Sequence, residues 1–155
     1  MDLEGAKHLS VELMKSSKAV YLSTINTEGY PITRAMSNVR NIIHYPQLID
    51  FFNRHVNPFV IYLSTNTSSS KIAQIYNNHK VSAYYCDPEN QMGVLFSGII
   101  NLVEDIDIKR EFFLDSSFRY YPKGVMDPDY TILKINPNAA ALYYKSENVE
   151  FKLGE

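Results

Sequence analysis

The sequence predicts a mainly β protein with a few helices, built as one antiparallel barrel of six or more strands. Three observations predict it. Short apolar or alternating segments recur along the chain, and turn-type connections join most of them. Strands do not alternate regularly with helices, which disfavours a doubly wound parallel sheet. At 155 residues and 45% hydrophobic content, the chain fits a single domain, 1–155, with a sizeable core.

Each element has a local cause. Residues 3–17 read as a helix, because Leu3, Ala6, Leu9, Leu13 and Met14 fall on one stripe. Residues 18–25 read as a strand in which Val20, Leu22 and Thr24 alternate with Tyr21 and Ser23. Asn26-Thr27-Glu28-Gly29 is a turn, and a second strand runs from 30 to 38 or beyond, with Pro31 tolerated near its start. These two strands predict an antiparallel hairpin. Residues 41–58 are irregular, broken by Pro46 and Pro58, with a helical turn at 48–52. A third strand spans 59–65, a helix follows from about 69 to 78, and a fourth strand spans 81–87.

Asp87-Pro88-Glu89-Asn90 predicts a turn before a long fifth strand, 92–103, where Gly98 marks a bulge or a barrel corner. Glu104, Asp105 and Asp107 suit the start of another helix, and Phe112, Phe113 and Leu114 give it apolar bulk. Residues 116–129 read as loop. Strands 130–135 and 139–145 follow, split by Asn136-Pro137-Asn138, and 149–153 adds a short edge strand.

Several classes of function are disfavoured. A net charge of −2 without blocks of like charge is not the footprint of a nucleic-acid binder. No apolar run approaches the roughly 20 residues of a membrane span, and no secretory pattern opens the chain. Cys86 is the only cysteine, so no intrachain disulfide forms; it reads as a half-buried small side chain, and the expected compartment is the cytoplasm. His8, His44, His55 and His79 do not pair at metal-ligand spacing. No Gly-x-Ser-x-Gly elbow, Walker loop or Gly-x-Gly-x-x-Gly fingerprint is present. Asp105 and Asp107 read as helix-start residues, and Asp127 and Asp129 as turn residues, rather than catalytic carboxylates. The 12 Tyr and 8 Phe, without Trp, fit half-exposed strand positions or a site that stacks planar ligands.

One motif carries chemistry. An apolar run, 59–63, leads into Ser64-Thr65-Asn66-Thr67-Ser68-Ser69-Ser70-Lys71, where a strand delivers a hydroxyl-rich loop to a helix start. Helix capping accounts for one serine. It leaves Thr65, the remaining serines and Lys71, a cation in a first turn where the helix dipole opposes it. A bound dianion removes that conflict, with the free N–H groups of the first turn as further donors. Arg34, on the second strand, offers a matching fork of donors. Arg34, Thr65, Ser69, Ser70 and Lys71 together predict a phosphate cradle.

The order of these pieces resembles the pyridoxamine 5′-phosphate oxidase-like family of FMN-binding split β-barrels, in particular its short bacterial general stress and nitroimidazole-resistance branch. The resemblance rests on Tyr21-Leu22-Ser23-Thr24-Ile25, Glu28-Gly29-Tyr30-Pro31, Thr33-Arg34-Ala35-Met36, residues 65–71 and Asn77-Asn78-His79-Lys80-Val81. Phe96-Ser97-Gly98, Val103-Glu104-Asp105 and Asp127-Pro128-Asp129-Tyr130 complete it. It implies a six-stranded split barrel with FMN at a homodimer interface. Arg34, Thr65, Ser69 and Lys71 would hold the phosphate, backbone around Ala35, Met36 and Ser37 would line the flavin, and the partner's fifth strand would contribute.

The chain departs from the oxidases of this family at two places. They carry a glutamine where this chain has Gly93, leaving Gln91, two residues away and expected on the same strand face, as a weak substitute. They also end in a segment with a tryptophan and an arginine, which is missing here, so oxidation of pyridoxamine phosphate is not the expected reaction. The expected function is that of a flavin-dependent oxidoreductase acting with a small-molecule redox partner. The alternatives are flavin storage or sensing without turnover, or another planar cofactor such as a deazaflavin or haem.

Overall fold

The computed structural model describes residues 1–154. Helix α1 (Leu3–Ser16) begins at Asp2, whose carboxylate accepts from the Gly5 N–H at 2.8 Å. It is followed by β1 (Ala19–Ile25), β2 (Pro31–Ser37), α2 (Ile49–Asn53), β3 (Ile61–Asn66) and α3 (Ser70–Asn77). Then come β4 (Lys80–Asp87), β5 (Met92–Leu102), α4 (Ile106–Phe112), β6 (Tyr130–Tyr144) and β7 (Glu147–Lys152). All strand pairs are antiparallel, in the order β2-β1-β4-β5-β6-β3, with β7 also on β6. The mainly β split-barrel expectation holds: six strands form the curled path and β7 extends one edge.

Two cores explain the sequence pattern. One fills the barrel, with Val20, Leu22, Phe96, Ile100, Leu133 and Leu142 at its heart. The other lies outside the barrel wall and gathers Leu48, Phe51, Phe52, Tyr62, Phe112 and Tyr130. Along β3, Ile61 and Leu63 enter the first core while Tyr62 enters the second. A strand buried on both faces needs no polar alternation, which is why 59–63 is a continuous apolar run.

The irregular stretch 41–58 covers that outer face through a 3-10 turn, Pro46–Leu48, and α2. Its start is tied to α1. Asn38 Nδ2 donates to the carbonyls of Met14 (2.8 Å) and Ser17 (2.9 Å), and Asn41 Nδ2 to that of Ser17 (3.1 Å). Arg40 is buried against the Phe52 ring, donates to the Pro58 carbonyl and leaves its Nε without a partner. These contacts fix the chain as it leaves β2.

The structure corrects one boundary. Residues 130–144 form one strand, not two split at Asn136-Pro137-Asn138. On one edge of β6, β3 pairs up to Ile135 and β7 from Ala139, so Pro137 sits in the gap between partners, where its missing N–H costs no ladder bond. On the other edge the register with β5 shifts between Ser97 and Gly98, the expected bulge. A Cβ at Gly98 would lie 2.4 Å from the Asn136 carbonyl oxygen and 2.8 Å from Pro137 Cα. The glycine is therefore a packing requirement of the corner.

Gly98→Ala is expected to destabilise the protein by about 2–3 kcal/mol, because backbone must move to admit the methyl group. Gly93→Ala meets only the mobile end of the Tyr84 ring, 2.0 Å away at its hydroxyl, and is expected to cost under about 1 kcal/mol. Urea midpoints for the two variants check this; equal midpoints would show that the corner relaxes freely.

Candidate functional site

The two ends of the strand path, β2 and β3, come alongside each other without a hydrogen-bond ladder. This is the split in the barrel, and the predicted residues gather on it. β2 alternates, so Arg34 shares its more buried face with Ile32 and Met36 while Ala35 and Ser37 point the other way.

The loop from β3 into α3 is held from outside. Thr67 N–H donates to the Asp129 carbonyl (2.8 Å), Ser68 N–H to the Asp129 carboxylate (2.8 Å), and the hydroxyls of Thr67 and Thr131 meet at 2.5 Å. Ser69 is the N-cap of α3, its hydroxyl accepting from the Lys71 N–H at 3.4 Å. Lys71 folds back over this turn. Its Nζ donates to Thr65 Oγ1 (2.8 Å) and Ser69 Oγ (2.7 Å), and the residue is only 9% exposed.

Arg34 reaches toward the same helix. Nη1 donates to Thr24 Oγ1 (2.7 Å) and the Ile32 carbonyl (3.0 Å), and Nη2 to Gln74 Oε1 (3.1 Å), one turn along α3 from Lys71. Thr24 in turn donates to Gln74 at 2.5 Å. Every acceptor around both cations is neutral. Neither cation belongs to an ion pair among the described residues, and no acid occupies the first turn of α3.

The charges act on each other. Burial, and then the nearby Arg34 guanidinium, hold Lys71 below the ordinary lysine range. Burial alone lowers Arg34. A lysine that releases its proton more readily folded than unfolded destabilises the fold while charged; stability rises as pH climbs through the folded pKa toward the free value.

Beside this cluster lies a chamber of about 410 Å³, within the range of small-molecule pockets. Ala35, Met36 and Ser37 of β2 and Ser64, Thr65 and Asn66 of β3 form its floor. Thr65 thus borders both the chamber and the Lys71 ammonium. Tyr45 and Leu48 from the 41–58 stretch close one side; Phe112 and the segment bearing Ser116, Ser117 and Tyr121 close the other. None of the lining residues carries a formal charge.

Arg34, Thr65, Ser69 and Lys71 come together, and Ala35, Met36 and Ser37 line the chamber. Ser70 is the first residue of α3, exposed, with its hydroxyl outside the hydrogen bonds that hold Lys71. Gln91 is corrected. It is not on the fifth strand but caps the turn before it at φ 54°, exposed and away from the chamber, so it shares no strand face with Gly93. The Asp87–Asn90 turn needs a left-handed residue there to reverse the chain. Cys86 is half-buried, as expected.

Sequence reasoning missed Thr24, Gln74 and Tyr121. Thr24 was discoverable from register, since Leu22 pairs with Arg34 and Thr24 with Ile32 on one face. Gln74 follows Lys71 at helical spacing. Tyr121 gave no local signal: its hydroxyl donates to Asn66 Oδ1 at 2.5 Å across 55 residues of chain.

The antiparallel strand path and its unpaired β2–β3 seam define a split β-barrel. Residues 57–154 match the family described as pyridoxamine 5′-phosphate oxidase like, and the chain belongs to that family. It is similar to a Clostridium acetobutylicum protein related to general stress protein 26 of B. subtilis, with 30% identity, a TM-score of 0.76 and coverage of 99% of this chain and 97% of that one. General stress protein 26 from Bacillus anthracis shares the fold at 22% identity and TM-score 0.67, covering 97% and 100%. A heme binding protein from Mycobacterium smegmatis shares it at 13% identity and TM-score 0.64, covering 92% of this chain and 57% of that one. The chain matches no curated protein.

Lys71→Met is expected to raise the melting temperature in anion-free buffer by about 2–4 °C, since it removes an uncompensated buried charge. Added inorganic phosphate is expected to raise the melting temperature of the parent but not of the variant. A lower melting temperature for Lys71→Met would mean that the two hydroxyl contacts outweigh the charge cost.

Proposed function

We propose that the protein binds FMN on the β2–β3 seam and acts as a flavin-dependent oxidoreductase with a small-molecule partner. One observation carries this reading: two cations without carboxylate partners among the described residues gather on the seam, and Thr65, bonded to one of them, lines a chamber with no charge of its own. A dianionic phosphate ester answers the cations, and a neutral ring system answers the chamber. Arg34, Lys71, Thr65 and Ser69 would hold the phosphate, with N–H groups at the start of α3. The unpaired edges of β2 and β3 supply backbone donors and acceptors along Ala35–Ser37 and Ser64–Asn66, suited to a heterocycle with alternating groups.

FMN, when bound, supplies hydride or electron transfer. The residues of the chain bind, orient and exclude water. No carboxylate, histidine or lysine is among the described lining residues, and such transfer requires none. Pyridoxamine phosphate is a poor candidate substrate, because its own phosphate would meet uncharged walls.

A haem reading draws on the Mycobacterium smegmatis neighbour. Against it, no histidine or cysteine lines the chamber, so iron would depend on tyrosine or Met36. Flavin storage or sensing differs from the leading proposal only in turnover. The proposed assembly is a homodimer in the cytoplasm. Tyr21, Tyr84, Leu95 and Tyr143 lie exposed on adjacent strands of the outer sheet face, and a second copy would cover them.

The visible spectrum of the purified protein separates flavin, deazaflavin and haem. Arg34→Ala and Lys71→Ala are each expected to weaken FMN binding by about 1.5–3 kcal/mol, the scale of hydrogen bonds to charged groups. Unchanged affinity in a fluorescence titration counts against the cradle. Anaerobic NADH or NADPH is expected to bleach the bound flavin; a yellow protein that neither reduces supports storage. Leu95→Lys is expected to turn a dimer into a monomer in sedimentation equilibrium.

A further inference from the structure

Asn66 ends β3 and lines the chamber, while the adjacent Thr65 is bonded to the Lys71 ammonium. Its carboxamide has two ends with different fates. Oδ1 accepts the Tyr121 hydroxyl at 2.5 Å, whereas Nδ2 makes no hydrogen bond to any described residue. Tyr121 is well placed to impose this orientation. It is 6% exposed, packs on the Tyr130 ring at 5.1 Å, and lies on the segment that closes the chamber. A phenol at neutral pH is a donor, and burial with the neighbouring Asp129 carboxylate keeps this one protonated. The carboxamide oxygen is thereby committed, and two N–H donors remain at the wall of a chamber whose other polar side chains are hydroxyls.

We propose that Asn66 is a specificity-determining residue that reads a carbonyl oxygen on the ligand's ring system, and that Tyr121 is the positioning residue that holds its NH₂ group toward that oxygen. The proposal rests on the FMN reading and deepens it, by separating recognition of the ring from recognition of the phosphate. Asn66 is exposed, so water serves its NH₂ group in the free protein; a ligand presenting an acceptor there replaces that water, and one presenting a donor sets donor against donor.

The test uses FMN and riboflavin, which share a ring and differ by the phosphate. Asn66→Asp keeps an acceptor for Tyr121 but removes both donors. It is expected to weaken both ligands by about tenfold or more, the scale of one lost hydrogen bond with an unpaired acceptor. Lys71→Ala is expected to weaken FMN and leave riboflavin nearly unchanged. Tyr121→Phe frees the carboxamide and is expected to weaken riboflavin about threefold in the parent and not further in Asn66→Asp, the non-additivity of a coupled pair.

Riboflavin affinity of Asn66→Asp within twofold of the parent overturns the proposal while leaving the phosphate cradle intact. A parent that binds neither flavin overturns the FMN reading itself. Should Asn66→Asp fail to fold, Tyr121→Phe decides: unchanged riboflavin affinity with an intact melting transition overturns the role of the pair.

Discussion

β2 and β3 are the two ends of one curled sheet, and they meet without pairing. That gap is the constraint on which the site depends. Closing the ladder would satisfy the backbone groups of Ala35–Ser37 and Ser64–Asn66 and erase the chamber floor. The barrel stays open because both edges are anchored from behind. β2 is tied through Asn38 and Asn41 to the end of α1, and β3 is sandwiched between two cores. Rigid edges that do not meet form a site; mobile edges would zip together or aggregate.

The seam also concentrates charge where the fold gains nothing from it. Arg34 and Lys71 are surrounded by hydroxyl, amide and carbonyl oxygens, and among the described residues no carboxylate pairs with either. In an ordinary core such cations would be replaced or paired. Their neutral shells instead hold geometry while leaving the positive charge uncompensated. Gln74 and Thr24 serve this purpose for Arg34, as Thr65 and Ser69 do for Lys71. Under the proposed function the arrangement trades stability for anion affinity, a usual relation between a binding site and its scaffold.

Much of this was legible in the chain. The first hairpin, the turn after Asp87, the bulge at Gly98 and the strand–loop–helix around Thr65 to Lys71 each follow from local patterns. Where the reading slipped, tertiary context had overridden a local rule. Pro137 looked like a strand breaker but falls where β6 changes partners. Gln91 looked like a strand residue but takes the left-handed turn position. The stretch 41–58 showed its prolines and the helical turn at 48–52 but not its role, which is to carry Leu48, Phe51 and Phe52 onto a face of β3 that the sequence does not mark as open.

The sequence by itself determined the strands, the capped helix start and the identity of both cations, because these depend on neighbours within a turn or a hairpin. The tertiary structure alone decided that Arg34 meets Gln74, that Tyr121 meets Asn66, and that a chamber without charge lies beside them. The physical reason is range: hydrogen-bonding propensity and side-chain periodicity act over a few residues, whereas these encounters join segments 40 and 55 residues apart through the curl of the sheet.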